Sequence, residues 1–233
     1  MASISYRELS EKLVKLLELN FYPISIHILK KEPKNLERTN KTSAVCGFLG
    51  ISEKSSFYAL ATDHFDCPIG LEVVGFTLDK GRKRSRDKIY SMMVESGIMS
   101  KKALANWKRK MPKLKQGFTE AIVYEPLELS HKNPDIVVFK CNPFQSMLLA
   151  SAIGKELGKE TPILSNFPGC CIIPIAYKSK KVVMSLACDG SRKLMPIKPD
   201  ELLVAISGKE LVNLVKELEQ YIQGREKFEK YFE

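Results

Sequence analysis

The sequence predicts a mixed α+β or α/β fold, in which one mixed-sheet core is flanked by helices. Three observations support this prediction. Apolar residues recur at helical spacing near both ends of the chain, which is typical of amphipathic helices. Short runs rich in β-branched residues lie between them, as expected of buried strands. The chain has 233 residues, of which 44% are hydrophobic, enough to bury a core without disulfides or a structural metal.

The first third of the chain begins with a recognisable helix start. Ser5 and Glu8 have the spacing of a capping box, in which a hydroxyl and a carboxylate accept from the free N–H groups of the first turn. Alternating apolar and polar residues after Pro23 predict a strand, and the polar stretch 31–41 predicts a loop. The elements predicted here are a helix over 6–19, a strand over 23–29, a helix over 42–50, a strand over 57–62 and a helical turn over 69–76.

The remaining elements follow from the same signals. Pro112 ends one helix, and Pro143 stands at the first position of another, where its missing N–H costs nothing. Gly224 is expected to end the last helix. The predicted elements are a charge run over 80–86, helices over 87–97 and 100–110, strands over 120–125 and 135–140, a helix over 144–158, strands over 170–177, 182–187 and 202–206, and a helix from 207.

We expect a single domain over residues 1–233. A weak internal repeat indicates two pseudo-halves, residues 6–79 and 119–224. Each would contain a strand, a helix and a strand, with a cysteine near the last strand. The segment 80–118 lies between the halves and is predicted to be an inserted basic helical subdomain.

The net charge of +10 is concentrated in one segment. Residues 80–115 contain 13 Lys or Arg against Asp87 and Glu95, so the rest of the chain is nearly neutral. No uncharged run approaches the roughly 18 residues that span a bilayer. The first residues also lack the charged-then-apolar order of a signal peptide. We therefore expect a cytoplasmic protein with no membrane partner.

Six cysteines are the main candidates for chemistry. No two of them have C-x-x-C spacing, which excludes zinc ribbons, zinc knuckles and thioredoxin-like motifs. In a cytoplasmic chain such cysteines are expected to be free thiols, metal ligands or catalytic groups. Those in distinctive surroundings, and therefore the predicted metal ligands, are Cys46, Cys67, Cys171 and Cys188.

The segment Cys188-Asp189-Gly190-Ser191-Arg192 is the most informative of these surroundings. Gly190 is predicted to allow a positive φ that turns backbone amides toward a sulfur or an anion. Arg192 is predicted to stabilise a nearby thiolate and to grip an anionic group. With His64, these two residues are the predicted cofactor-binding residues. A tight turn with a buried cysteine and a surface arginine is the alternative interpretation.

Several motifs together resemble a known prokaryotic family. They are Tyr6-x-x-Leu9 with Pro23-Ile24-Ser25-Ile26, Cys46 and Cys67 with Gly75-Phe76, Glu125-Pro126-Leu127 with Pro134-Asp135-Ile136-Val137 and Pro143-x-Gln145, and Ser185 to Arg192 followed by Glu201-Leu202-Leu203-Val204. Over residues 6–220 the chain resembles the uncharacterised domain of unknown function 169, which is common in anaerobes and archaea. The resemblance implies a shared fold unit and cysteine pattern, and no activity. This chain departs from the family in its basic segment and in Cys141 and Cys170, which are expected to be structural.

Cofactor or metal binding is the first function that these residues favour. Cluster ligands need only converge in space, so we expect an iron–sulfur cluster held by the four predicted thiolates. Haem, through His64 or a cysteine, and zinc are alternatives on the same residues. A redox partner or a small-molecule anion would accompany such a site. The sequence gives no oligomeric state.

Two other classes of function remain. A cysteine-dependent or small-molecule-pocket enzyme would use Cys188 as a nucleophile and His64 or Asp66 as a base, although no known catalytic motif occurs. A nucleic-acid binder would use the basic segment 80–115. We expect a solvated charged face there instead, because an apolar side docks these helices on the core. Nucleic-acid binding that weakens steeply with salt would favour the binder, and a flat salt response would favour the solvated face. The apolar side consists of Met92, Met93, Ile98, Leu104 and Trp107.

Overall fold

One seven-stranded sheet forms the centre of the protein in a computed structural model that describes residues 5–157, 163–165, 167–179 and 181–230. The strands are β1 (Ile24–Leu29), β2 (Phe57–Leu60), β3 (Ala121–Pro126), β4 (Ile136–Cys141), β5 (Ile163–Ser165), β6 (Val183–Ser185) and β7 (Leu202–Ser207). Across the sheet they stand in the order β2-β3-β1-β4-β7-β6-β5. Neighbouring strands are antiparallel except β5 and β6, which are parallel. The mixed sheet predicted from the sequence is therefore confirmed.

Nine α-helices lie within the residues described above. They are α1 (Tyr6–Leu17), α2 (Val45–Ile51), α3 (Pro68–Val73), α4 (Lys80–Glu95), α5 (Lys101–Lys110), α6 (Pro143–Leu157), α7 (Ile172–Lys178), α8 (Asp189–Leu194) and α9 (Leu211–Glu229). The predicted capping box of α1 is confirmed, because Ser5 and Glu8 each accept from the other's backbone N–H. Helix α6 begins at Pro143, as predicted. Residue 158, its last predicted residue, lies outside the described residues.

Helices cover both faces of the sheet. Val137 and Phe139 of β4 lie in one core with α1, α6 and α9. Ile136 and Val138 of the same strand lie in the opposite core, with α2, α3, α4 and α7. Successive side chains of a strand point to opposite faces, so a strand covered on both sides needs an uninterrupted apolar run. This requirement explains why β4 and β7 are apolar along almost their whole length.

The strand predicted over 170–177 is wrong. A 3₁₀ turn, Gly169–Cys171, runs directly into α7. A short apolar run fits a buried helix as well as a buried strand, and here Ile172, Ile173 and Ala176 are all fully buried on the sheet. Pro174 is tolerated because it stands in the first turn of α7, where backbone N–H groups lack helical partners.

Two predicted helix ends are also wrong. Helix α4 begins at Lys80, inside the predicted charge run, because the Asp79 side chain accepts from the Arg82 backbone N–H at 2.8 Å and caps the helix there. The last helix continues past Gly224 to Glu229. Glycine ends a helix when it adopts a left-handed conformation, and Gly224 is not among the residues with positive φ.

The basic helices α4 and α5 pack on the sheet core through an apolar side. Tyr90 is buried in that core, and Met93, Leu104 and Trp107 lie against it. The Tyr90 and Trp107 rings meet edge to face, with centroids 6.2 Å apart. Of the five residues predicted to form the apolar side, Met93, Leu104 and Trp107 do contact the core. The other two, Met92 and Ile98, are exposed. The division into two pseudo-halves stays a prediction.

Candidate functional site

Four cysteine side chains line one small cavity beside α2, α3 and α8. Its volume is about 40 Å³, which suits water-sized groups. The four cysteines come from segments far apart in the chain: Cys46, Cys67, Cys170 and Cys188. The other lining residues are Ala44, Val45, Gly70, Pro168, Gly190, Ser191 and Leu194.

Each cysteine is positioned by the beginning of a short helical element. Cys46 is the second residue of α2, and Cys67 immediately precedes α3. Cys170 lies in the 3₁₀ turn before α7, and Cys188 immediately precedes α8. The cavity therefore lies where four separate chain segments enter helices, and the packing of those helices brings the sulfurs together.

The structure brings Cys170, not Cys171, to this cavity. The prediction of Cys171 rested on a strand, in which neighbouring side chains point to opposite faces. In the observed helical turn Cys170 lines the cavity with Cys46 and Cys67. Cys171 is fully buried in the sheet core and does not line the cavity. Cys170 is therefore the member of the pair that faces the other thiols.

The segment before α8 differs from its prediction. Ala187, rather than Gly190, has the left-handed backbone, with φ 64°. A non-glycine residue in this conformation costs roughly 1–2 kcal/mol, so the surrounding structure must hold it. Gly190 instead belongs to the first turn of α8 and lines the cavity.

Arg192 supplies part of that support. Its guanidinium group donates to the carbonyl oxygens of Leu186 at 3.1 Å, Lys198 at 2.9 Å and Glu201 at 3.0 Å. The predicted role of Arg192, to stabilise a thiolate or grip an anion, finds no match in these contacts. The side chain instead ties the strand end, the loop after α8 and the start of β7 into one unit.

Ser191 joins two of the thiols. Its hydroxyl oxygen lies 3.2 Å from the Cys188 sulfur, and the same hydroxyl hydrogen-bonds to Cys46. Because a hydroxyl carries one proton, it donates to one sulfur and accepts from the other. No motif predicts this role for Ser191, although it stands three residues after Cys188, a spacing that places both at the start of α8.

The buried thiols of the cavity hold their protons at neutral pH. Burial raises the pKa of Cys46 to about 12 and that of Cys67 to about 11. The pKa of Cys170 lies well above its usual range, first because of its hydrogen bond with Cys171 and then because of burial. Cys188, in contrast, is exposed. A metal that bound here would therefore have to displace protons.

His64 does not line this cavity. It is fully buried, and its Nδ1 lies 2.7 Å from the Leu60 carbonyl oxygen. A carbonyl only accepts, so Nδ1 carries the proton and Nε2 accepts from the Tyr124 hydroxyl at 2.9 Å. Burial lowers the pKa of His64 to about 4. Both ring nitrogens are thus occupied by structural hydrogen bonds, so haem ligation through His64 has no support in these contacts.

The thiols are not already arranged around a single ion. Within the described part of the chain, no three His, Cys, Asp or Glu side chains form a group that could hold a metal ion. Cys141 lies in the opposite core, fully buried, away from the cavity. Its placement agrees with the structural role expected for it.

Among the described helices, none has both the length and the apolar character needed to cross a membrane.

Comparison with known proteins gives the family of the chain. No solved structure matches the chain. An uncharacterised protein of Methanocaldococcus jannaschii, MJ0308, is 26% identical over 225 residues, which cover 93% of this chain and 95% of that protein. The profile of domain of unknown function 169, described as uncharacterised ArCR, matches residues 12–217. The chain therefore belongs to the DUF169 family.

Proposed function

We propose that the protein binds an iron–sulfur cluster through Cys46, Cys67, Cys170 and Cys188. The observation that carries this proposal is the convergence of four thiols, from four distant segments, on one cavity. Cys46 and Cys170 are buried, Cys67 is partly buried and Cys188 is exposed. Such a set contains no carboxylate or imidazole, and thiolates are the donors that iron–sulfur clusters use.

A cluster requires less close convergence of the thiols than a single zinc ion does. A single zinc ion needs all four sulfurs at about 2.3 Å from one point. Each ligand of a four-iron cluster binds a different iron, so its four sulfurs stand further apart. The described residues contain no group of three donors close enough for one ion. The cavity of about 40 Å³ is small for a cluster, so binding would require its exposed wall, the segment with Cys188, to move outward.

The residues around the thiols have defined roles in this proposal. Backbone N–H groups of Ile69 and Gly70 donate to the Cys67 sulfur, and the Ser191 hydroxyl bonds to Cys46. Hydrogen bonds of this kind stabilise a thiolate and tune the reduction potential of the group it holds. When bound, a cluster would supply one-electron transfer. Because the buried thiols are protonated, loading should release protons and should be favoured at higher pH.

Metal analysis of the anaerobically purified chain tests the proposal. We expect iron and acid-labile sulfide in equal amounts after reconstitution with ferrous iron and sulfide, together with a paramagnetic signal after reduction. Replacement of any of the four cavity cysteines by alanine should reduce the iron content. Cys170→Ala and Cys171→Ala are a matched pair, because the two residues are neighbours in one turn and only Cys170 lines the cavity. Cys141→Ala is a second control.

Two results would contradict this function. Zinc bound in a one-to-one ratio, with no sulfide, would assign the thiols to a single ion. Equal iron content in the parent protein and in all six alanine variants would show that the cavity thiols do not hold the iron. Thermal melting of each variant separates loss of iron from loss of fold.

A further inference from the structure

The outward sides of α4 and α5 form a surface of positive charge. Of the 13 Lys or Arg between residues 80 and 115, all but Arg82 and Arg86 are exposed. Six of them define what we call the basic surface: Lys83, Arg84 and Lys88 on α4, and Lys108, Arg109 and Lys110 on α5.

The charges of this surface are not neutralised within the described residues. Three neighbouring carboxylates pair with other cations: Asp79 with Arg82, Asp87 with Arg86, and Glu72 with both Arg86 and Lys113. A fourth, Glu95, lines the groove between the helices together with Lys108 and Lys101. None of the six cations of the basic surface takes part in a described ion pair. An ordinary solvated face mixes both signs of charge, whereas this one carries a local excess that attracts anions.

The two helices hold the basic surface in a fixed arrangement. The Lys108 ammonium lies 4.5 Å from the centre of the Tyr90 ring, so the end of α5 lies beside the middle of α4. The Trp107 ring in turn contacts Phe167, at 5.8 Å between centroids. Because these rings attach both helices to the core, the cations stand on packed helices rather than on a mobile tail.

We propose that the basic surface binds the phosphodiester backbone of a nucleic acid. Closely spaced cations without paired carboxylates suit the repeated phosphates of a nucleic acid. It does not suit a protein partner, because the centre of a protein interface is depleted of charge and of lysine. The binding would be independent of sequence, since phosphate contacts carry no base information.

An anionic membrane is less well matched to this surface. Membrane-surface helices place apolar residues beside their cations. The exposed large apolar residues here are Met92, one helical turn after Lys88, and Ile98, which follows α4. Only these two accompany the eleven exposed cations of residues 80–115, whereas a membrane-surface helix has a continuous apolar side.

Fluorescence anisotropy with a labelled single-stranded RNA of about 20 nucleotides tests this proposal on the whole chain. If about four phosphates are contacted, affinity should fall about 50-fold between 50 and 200 mM salt. The triple variant Lys83→Glu, Arg84→Glu, Lys88→Glu should weaken binding at least tenfold and flatten the salt dependence. A duplex DNA probe of the same length shows whether the backbone alone is sufficient.

A matched charge reversal is the control. Lys15, Lys209 and Lys216 are exposed on other parts of the surface, and their triple change to Glu alters the net charge by the same amount. We expect this variant to bind RNA within about twofold of the parent protein. Equal loss in both triple variants, binding unaffected by salt, or tighter binding to phosphatidylserine vesicles than to RNA would overturn the proposal. No outcome of this test depends on metal content, so it is separate from the test of the cluster.

Discussion

The Ser191 hydroxyl lies 3.2 Å from the sulfur of Cys188, the exposed thiol of the cavity. The same hydroxyl bonds to Cys46, which is buried. One short helix, α8, therefore links the accessible wall of the cavity to its interior. A displacement of Cys188 would therefore break one of the two contacts that the Ser191 hydroxyl makes with cavity thiols.

The close approach of Gly169 to Ser191 gives a first prediction. A Cβ atom on Gly169 would lie 2.7 Å from the Ser191 hydroxyl oxygen and 3.2 Å from its Cβ. We expect Gly169→Ala to lower the free energy of unfolding by about 1–3 kcal/mol through overpacking. Adding Ser191→Ala removes the shorter contact and should restore part of the loss. Urea denaturation of both single variants and the double variant measures the coupling. Strictly additive effects would show that the two residues do not meet.

Alkylation should distinguish the cavity thiols. Cys188 is exposed and should react first with iodoacetamide at about pH 8, because the thiolate is the reactive form and must be reached by the reagent. With a pKa of about 11, Cys67 is ionised in only about one molecule in a thousand at that pH. Peptide mapping by mass spectrometry after brief treatment gives the order of modification. Modification of buried Cys141 as fast as Cys188 would contradict this order.

His64 makes stability depend on pH. Its pKa is about 4 in the folded protein, against 6.5 when it is unperturbed. Between these values the unfolded chain binds more protons, so stability falls as the pH is lowered from 6.5 toward 4. The difference amounts to about 3 kcal/mol, since one pKa unit corresponds to about 1.4 kcal/mol.

Urea unfolding at several pH values, in the parent protein and in His64→Gln, isolates this effect. Glutamine has a donor for the Leu60 carbonyl and an acceptor for the Tyr124 hydroxyl, and it does not titrate. We expect the variant to have a smaller loss of stability over that pH range. Identical pH profiles for the two proteins would show that His64 does not contribute.

Replacing either of two glycines outside the cavity by alanine should change the stability of the protein, in opposite directions. Gly224 lies inside α9, and a Cβ atom there meets nothing within 4 Å. Gly224→Ala should therefore raise stability by about 0.5–1 kcal/mol, because alanine favours the helix. Gly208 has the Pro134 backbone around it, and an added Cβ would overlap the Pro134 carbonyl oxygen. Gly208→Ala should lower the melting temperature. The reverse order of melting temperatures would contradict the placement of Gly224 in the helix.

Local signals were sufficient for much of the fold. The capping pair of Ser5 and Glu8 is an interaction between near neighbours, and Pro143 marks a helix start by its own backbone chemistry. The apolar runs of β4 and β7 are properties of single strands. All of these signals are local, so they can be recognised in the sequence. The short strand β5 was not predicted, because three residues carry too little pattern. The run 170–177 was assigned the wrong type, because apolar composition alone does not distinguish a buried strand from a buried helix.

The sequence by itself determined the mixed sheet, the absence of C-x-x-C pairs and the concentration of charge in one segment. Only the tertiary structure decided which thiols meet. Cys46 and Cys188 are separated by most of the chain, and the choice between Cys170 and Cys171 depends on the direction in which one helical turn faces the sheet. A side chain's direction follows local backbone geometry, but its neighbours are set by how distant elements pack, and packing depends on the whole molecule at once.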